Sequence, residues 1–325
     1  DIFNEYAEDY VTRVNEMAGG RLKIQYLISG AVVKAFQLQD AVNKGVLDAG
    51  HTVPAYWYGK SKVASLFGTG PVFGLSADQN MAWIHHGGGQ ALYDELLQNL
   101  GLNLVGFFCM PMPAQPLGWF KREIKTSEDM KGLKYRTVGL ATDLMQAMGV
   151  KVTQLSGGEI VPALERGVIE AFEYNNPTSD SRFGAQDVSK HYHLCSYHQA
   201  SEFFEIMVNK GKFDALPDEH KAIIKYAAEA ASSANYWKGQ DLYSKDLQWL
   251  QEKAGVNVYR TPKGVLEDQL KAWDQLLVEL EKDPFFAKVV ASQKEFAKRV
   301  AYYDLTNAPD YKLAYDHYFP GTLKF

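Results

Sequence analysis

Ala41-Val42-Asn43-Lys44-Gly45-Val46-Leu47-Asp48-Ala49-Gly50-His51 aligns without a gap on Ala163-Leu164-Glu165-Arg166-Gly167-Val168-Ile169-Glu170-Ala171-Phe172-Glu173. Each copy reads as a helix stopped at a glycine, a two-residue apolar strand, then an acid and an alanine. Glycine suits that stop because it accepts the left-handed conformation that closes a helix. Two copies are too few for a solenoid, which stacks three or more units. They fit two similar α/β lobes, and strand–helix–strand order predicts a largely parallel sheet. Ligands of such sheets bind beyond the carboxyl ends of the strands. His51 and Glu173, just past the two strands, are therefore expected to face one shared cleft.

Outward from the first copy, residues 1–17 place Phe3, Tyr6, Tyr10 and Val14 at helical spacing. Gly19-Gly20 ends that helix. Residues 21–27 (RLKIQYL) alternate apolar and polar, which predicts a half-buried strand with Leu22, Ile24 and Tyr26 on one face. A second helix is expected over 34–43, and Val46–Ala49 as a short buried strand. Around the second copy, residues 125–136 predict a short helix, a stop at Gly132 and a strand ending at Arg136. Ser156-Gly157-Gly158-Glu159 has the spacing of a capping box. Pro217 fits a first helical turn, and the helical pattern continues to Gly255, about 38 residues or roughly 57 Å. A helix of that length outspans one lobe and is expected to brace two. A last amphipathic helix over 284–303 presents Phe285, Val289, Phe296 and Val300, to pack either on its own chain or on a second copy.

The 325 residues are 46% hydrophobic and 22% charged, a globular composition of two-domain length. A net charge of -5 supplies no basic footprint, so nucleic acid is excluded as a partner. No run approaches the ~20 apolar residues of a membrane-spanning helix. Cys109 and Cys195 form no C-x-x-C pair, and their spacing leaves their redox state open. No nucleophile elbow, Walker loop, H-E-x-x-H or EF-hand loop occurs. Gly87-Gly88-Gly89 after His85-His86 reads as a helix C-terminus rather than a phosphate cradle. His191 and His193 alternate as in a strand, which predicts one solvated face, and with His198 they lack the further ligand a zinc site needs. Single polar residues beside Tyr56-Trp57-Tyr58, Phe107-Phe108, Trp119-Phe120, Phe172, Tyr174 and Phe203-Phe204 suit a small apolar pocket, with core packing as the alternative for most of these rings.

Residues 115–124 (QPLGWFKREI) through Leu133-Lys134-Tyr135-Arg136, then Gly157-Gly158-Glu159-Ile160-Val161-Pro162-Ala163-Leu164-Glu165-Arg166-Gly167 and Ala171-Phe172-Glu173-Tyr174, carry a resemblance. They resemble the extracytoplasmic solute-binding subunits of TRAP transporters, the DctP-type family. Ala55-Tyr56-Trp57-Tyr58-Gly59-Lys60 and Trp83-Ile84-His85-His86-Gly87-Gly88-Gly89 resemble the branch that binds small 2-oxo and 2-hydroxy monocarboxylates, such as pyruvate and lactate, together with a cation. The resemblance spans nearly the whole chain. It implies an α/β, two-lobed periplasmic-binding-protein fold with hinge strands and a long bracing helix. Lobe I is expected over 1–112 and about 205–250, and lobe II over 113–204 with part of the C-terminal region. The helix over 284–304 is expected to mediate a homodimer. The family begins with a strand ahead of its first helix, so the chain is expected to lack that strand, and its targeting segment, at its N-terminus. The expected location is periplasmic, with a membrane permease as partner.

The same resemblance implies the site. Arg136 would pair with the substrate carboxylate, and a planar guanidinium is matched to that group. Gln115 would face ligand or cation, Glu173 would be the acidic cation ligand, and Tyr174 would contribute its backbone oxygen. Gln199 would complete the set, with Glu202 and Glu205 as alternatives nearby. A cation between Glu173 and the substrate reverses their repulsion. Amide and carboxylate oxygens suit a hard ion, Na+ or Ca2+. Tyr56 is expected to hydrogen-bond the 2-oxo or 2-hydroxy oxygen, with Tyr58 and His51 competing for that role. The competing reading is a metal-assisted enzyme acting on the same acids.

Overall fold

The computed structural model describes residues 2–323. The chain opens with helix α1 (Ile2–Ala18), then passes through an extended segment and α2 (Leu38–Asn43) into strand β1 (Ala49–Thr52). Helices α3 (Ala77–His86) and α4 (Gly89–Asn99) lead to β2 (Leu104–Met112), and β3 (Gly118–Phe120) follows at once. An alternating stretch holds β4 (Lys134–Arg136), α5 (Ala141–Ala147), β5 (Lys151–Thr153), α6 (Ile160–Glu165) and β6 (Ala171–Phe172). After α7 (Pro177–Arg182) and α8 (Ala185–Val188), strands β7 (His191–Leu194) and β8 (Glu202–Asn209) come in succession. The remainder is α9 (Lys210–Asp214), α10 (Asp218–Glu252), β9 (Asn257–Arg260), α11 (Lys263–Leu280), α12 (Pro284–Asn307) and α13 (Tyr311–Tyr318).

The strands form two sheets, ordered β1-β8-β2 and β5-β4-β6-β3-β7-β9. The expectation of largely parallel sheets needs correction. β8 runs antiparallel to both its neighbours, and β3 runs antiparallel to β6 and β7, while β4 pairs parallel with β5 and β6 and β7 with β9. The exceptions share a cause. β3 follows directly on β2, and β8 on β7, so these are the strands by which the chain crosses from one sheet to the other. Each inserts against the grain of the sheet it enters. The crossings lie side by side, with Met112 opposite Glu202, Gln115 N–H bonded to the Gln199 carbonyl, and Gly118 opposite His193.

The repeated motif closes its helices identically in the two sheets. Gly45 and Gly167 adopt φ of 75° and 68°. Val46 N–H reaches the Ala41 carbonyl and Val168 N–H the Ala163 carbonyl, both at 2.9 Å, the bond that defines a Schellman cap. The strands begin at Ala49 and Ala171, later than expected, and Val46 and Val168 are exposed because they sit on the cap rather than in the sheet.

Residues 21–27 form no strand among the described residues, which corrects the expected strand. Their backbone is held instead by the Asn15 side chain, which accepts from Ile24 N–H at 2.7 Å and donates to the Ile24 carbonyl at 3.0 Å. A cavity of about 1100 Å³ lies between this segment and the outer edge of β1. The strand expected ahead of α1 would fall outside the described residues.

The bracing helix is α10. Its 35 residues span roughly 52 Å at 1.5 Å each. Ile224, Ala227, Ala228 and Ala231 pack with α1 against the first sheet, and Leu250 packs against the second. The end of α3 at His86 and the start of α4 at Gly89 bear out the helix-terminus reading of the triple glycine. Phe286, Val289 and Phe296 of α12 bury against the molecule's own core, joined by half-buried Phe285 and Val300, so the face expected to be free for a second copy is used internally. The exposed apolar surface lies further on, at Tyr302, Tyr303 and Leu305, and along α13 at Tyr311, Leu313 and Tyr318. Cys109 and Cys195 are both free thiols. No helix among the described residues is long and apolar enough to cross a membrane.

Candidate functional site

Arg136 ends β4, between β5 and β6 in the second sheet, and is 1% exposed. An arginine so deeply buried must have its donors answered. Its Nε donates to the Leu155 carbonyl at 2.8 Å, and its Nη1 donates to the Glu173 carbonyl at 2.8 Å and to Glu173 Oε1 at 2.9 Å. The Tyr174 ring lies over the guanidinium, 5.9 Å away, and Tyr56, in the helical turn after β1, lies near enough to feel its charge. Gly157 lets the loop before α6 approach Tyr174, since a Cβ there would lie 2.4 Å from the ring.

Glu173 follows β6 and is fully buried. Burial pushes its carboxyl up to about 7, outweighing the lowering pull of Arg136 despite their 2.9 Å contact. The two crossing segments bring Gln115 and Gln199 to it. Gln199 Nε2 donates to Glu173 Oε1 and to Thr137 Oγ1, each at 3.2 Å. Gln115 Nε2 donates to Glu202 Oε2, which Asn175 Nδ2 also reaches. Burial and then Glu173 raise the Glu202 carboxyl to about 8.

This donor arrangement leaves Gln115 Oε1, Glu173 Oε2 and Gln199 Oε1 buried with no hydrogen-bond partner. A buried acceptor without a donor costs about 1–3 kcal/mol, so three on interlinked residues call for a shared positive ligand. Two amides and one carboxylate are hard oxygen donors and fit Na+ or Ca2+. No cluster of three His, Cys, Asp or Glu side chains suitable for a metal occurs among the described residues.

The structure therefore brings together Arg136, Gln115, Glu173, Tyr174, Gln199 and Tyr56. Of the alternatives, Glu202 joins the group. Glu205 lies apart in the first sheet's core, bonded to the Tyr93 hydroxyl. Tyr58 is committed to Asp143 Oδ2 at 2.7 Å. His51 packs at a tilt against Phe204, and burial lowers its imidazole to about 4. His51, Tyr56, Tyr174 and Glu202 border the same cavity, whereas Glu173, expected to share a cleft with His51, is not among its lining residues. His193 contradicts the expected solvated face: it is fully buried, accepts from Ile124 N–H at 3.0 Å, and is covered by Tyr259 of β9.

Sequence reasoning missed Asn175, Thr137 and Asp180. Asp180 accepts from Trp119 Nε1 at 2.9 Å, Tyr192 OH at 3.0 Å and Asn175 N–H at 3.1 Å, and so fixes the 174–176 turn. The polar run Asn175-Asn176 directly after an apolar strand was the available signal.

The model of the bacterial extracellular solute-binding proteins, family 7 (DctP), matches residues 1–283. The chain is 33% identical to the monocarboxylate 2-oxoacid-binding periplasmic protein of Nostoc sp. over 307 residues, 94% of this chain and 83% of that one. It is similar to a TRAP periplasmic solute-binding protein from Colwellia psychrerythraea, solved with bound calcium and pyruvate (30% identity, TM-score 0.89, 98% and 95% of the chains covered). It is also similar to one from Pseudoalteromonas atlantica, solved with bound sodium and pyruvate (29% identity, TM-score 0.87, 98% and 95% covered). The architecture is thus the two-lobed binding-protein fold, and the enzyme reading falls away. With that family match and that relative, the chain belongs to the DctP-type extracellular solute-binding proteins, family 7, and works by binding a solute rather than transforming it.

Proposed function

We propose that the protein captures a small 2-oxo or 2-hydroxy monocarboxylate, pyruvate or lactate in size, together with Na+ or Ca2+, and delivers it unchanged to a TRAP membrane permease. The observation that carries this reading is the trio of unanswered oxygens on Gln115, Glu173 and Gln199 beside the Arg136 guanidinium. Arg136 holds the ligand carboxylate, those oxygens with the Tyr174 carbonyl hold the cation that bridges it, and Tyr56 donates to the 2-oxygen. The relatives named with pyruvate support the ligand class. Lobe I comprises residues 1–112 and about 205–250, lobe II residues 113–204 with part of the C-terminal region, and the two crossing segments are the hinge. The exposed apolar ends of α12 and α13 pair two copies.

Titration of cation-stripped protein with pyruvate and lactate, followed by calorimetry, tests the reading. Saturable binding of unchanged ligand that weakens at least tenfold without added cation is expected. Equal affinity with and without cation removes the ion from the mechanism, and absence of binding by any small 2-oxo or 2-hydroxy acid refutes the ligand class.

A further inference from the structure

The unanswered oxygens of the site call for a cation, and one buried group beside them calls for the opposite. His198 precedes Gln199 on the second crossing segment and is fully buried. Its Nε2 has no hydrogen-bond partner among the described residues. Whether that nitrogen donates or accepts depends on which ring nitrogen carries the proton, and the neighbours of Nδ1 decide it.

Helix α11 pins this stretch of chain. Tyr197 N–H donates to Gln269 Oε1 at 2.8 Å, and Trp273 Nε1 donates to the Tyr197 carbonyl at 2.8 Å. The first bond fixes the Gln269 amide, since only its oxygen accepts, and its Nε2 then donates to Ser196 Oγ at 2.8 Å. His198 N–H reaches the same Oγ at 3.3 Å. A hydroxyl has two acceptor lone pairs and one proton. With both lone pairs taken, the remaining contact, 2.7 Å to His198 Nδ1, carries the Ser196 proton. Gln269 Oε1 is the other acceptor within reach, but it is farther, at 3.2 Å, and already holds Tyr197 N–H. Nδ1 therefore accepts, and the imidazole proton sits on Nε2.

The direction of that donor follows from the ring. The two nitrogens lie on nearly opposite edges of an imidazole, so with Nδ1 turned to Ser196 and α11, Nε2 faces away from α11. Burial first, and then the charge of Arg136, keep the ring neutral, which places it within reach of the guanidinium's field. A cation cannot answer a buried N–H, whereas an anionic oxygen answers it well, because hydrogen bonds to ionised acceptors are stronger than those between neutral groups.

We propose that His198 is a ligand-binding residue whose Nε2–H donates to the carboxylate that Arg136 holds. The anion then meets one charged donor and one neutral donor, and the second adds no further positive charge beside the cation. The inference rests on the carboxylate reading of Arg136 above.

The test uses the full chain with 15N-labelled histidine in saturating cation, followed by NMR and calorimetry. Long-range 1H–15N correlations read the tautomer, with His198 assigned as the signal lost in His198→Phe. Protonation at Nε2 is expected in the free protein, and the Nε2–H proton should move downfield as pyruvate is added. His198→Phe keeps most of the bulk and lets the Ser196 hydroxyl turn to Gln269 Oε1. It should weaken pyruvate and propionate alike, about 10- to 100-fold, since both carry the carboxylate. His198→Gln places an amide N–H at about the reach of the imidazole Nε2 and should recover most of that loss. A proton on Nδ1, an Nε2–H unmoved by pyruvate, affinities within threefold of wild type in His198→Phe, or a loss that His198→Gln leaves unrestored each overturn the role of His198 while leaving ligand binding intact. A wild type that binds no pyruvate overturns the underlying reading instead.

Discussion

Arg136→Lys isolates what a planar guanidinium does here that a bare positive charge does not. Arg136 spans acceptors on two sides: the Leu155 carbonyl through Nε, and the Glu173 carbonyl and carboxylate through Nη1. A lysine ammonium is a point donor on a straight stem and cannot serve both sides and a ligand at once. If it stays with Glu173, the Leu155 carbonyl loses its partner, and if it turns to the ligand, Glu173 does. Either way one buried acceptor is stranded, at about 1–3 kcal/mol. The ligand carboxylate also loses a charge-assisted bond, worth about 1.5–3 kcal/mol. The second loss falls on binding, and at 1.4 kcal/mol per decade it predicts affinity for pyruvate weakened about 10- to 150-fold. The first falls on the free protein and should lower its unfolding free energy by a similar 1–3 kcal/mol. Calorimetric titration in saturating Ca2+ reads the affinity, and urea denaturation reads the stability. Pyruvate affinity within threefold of wild type would refute the assignment of Arg136 to the ligand carboxylate, whatever happens to stability.

Tyr56→Phe removes one phenol that faces Arg136 and should weaken binding of 2-oxo and 2-hydroxy acids about 3- to 10-fold, with no comparable loss for a carboxylate lacking the 2-oxygen; calorimetry with pyruvate and propionate separates the two. Burial lowers the imidazoles of His193 and His198 to about 4 and about 3, against 6.5 in the unfolded chain. Above pH 6.5 both states are neutral and nothing is gained or lost. Below it the unfolded chain takes up protons that the folded chain refuses, so stability falls as pH drops from about 6.5 toward 4. Each histidine contributes up to about 2 kcal/mol of that loss by pH 5. Urea unfolding at pH 7 and pH 5 should show it, and His193→Gln, which retains an acceptor for Ile124 N–H, should reduce the pH-dependent loss by up to that amount. Deleting residues 308–325 removes α13 with its exposed Tyr311, Leu313 and Tyr318. Light scattering of the truncated chain should then give its single-chain mass, below the 36.5 kDa of the full chain, in place of twice that mass; a full-length chain already at 36.5 kDa would sink the dimer.

Local chemistry made the helix ends legible. Gly45, Gly167, the Ser156–Glu159 box and the stop at Gly132 are decided within a few residues, and all appear as expected. Long periodic segments such as α10 were legible for the same reason. Strands of two to four residues were not, because a partner brought from far along the chain defines them. Residues 21–27 have a strand's alternation without a strand's neighbour, and β8 turns the first sheet antiparallel with no local sign of it. His193 was misplaced because Tyr259, which covers it, lies 66 residues away in sequence. At the site, the resemblance named most of the residues now found together. It could not supply the direction of each amide, which Glu202, Thr137 and Glu173 fix jointly.

Those amide directions couple ligand, ion and hinge. Gln115 and Gln199 sit on the two crossing segments, joined backbone to backbone at 3.0 Å, and each turns its NH₂ toward a carboxylate and its oxygen away from one. With the lobes together, three acceptors and a desolvated ion pair are answered in full only by a cation and an anion at once. With either missing, opening the hinge hydrates the acceptors and recovers about 1–3 kcal/mol for each. A ligand shifts a conformational equilibrium only by its differential affinity for the two states, and if the crossing segments are the hinge, as proposed, that difference resides in atoms on it. On that proposal, the closed arrangement is favoured by ligand and ion together and by neither alone, which is the requirement for a carrier that must hold its solute in transit and release it when the lobes part.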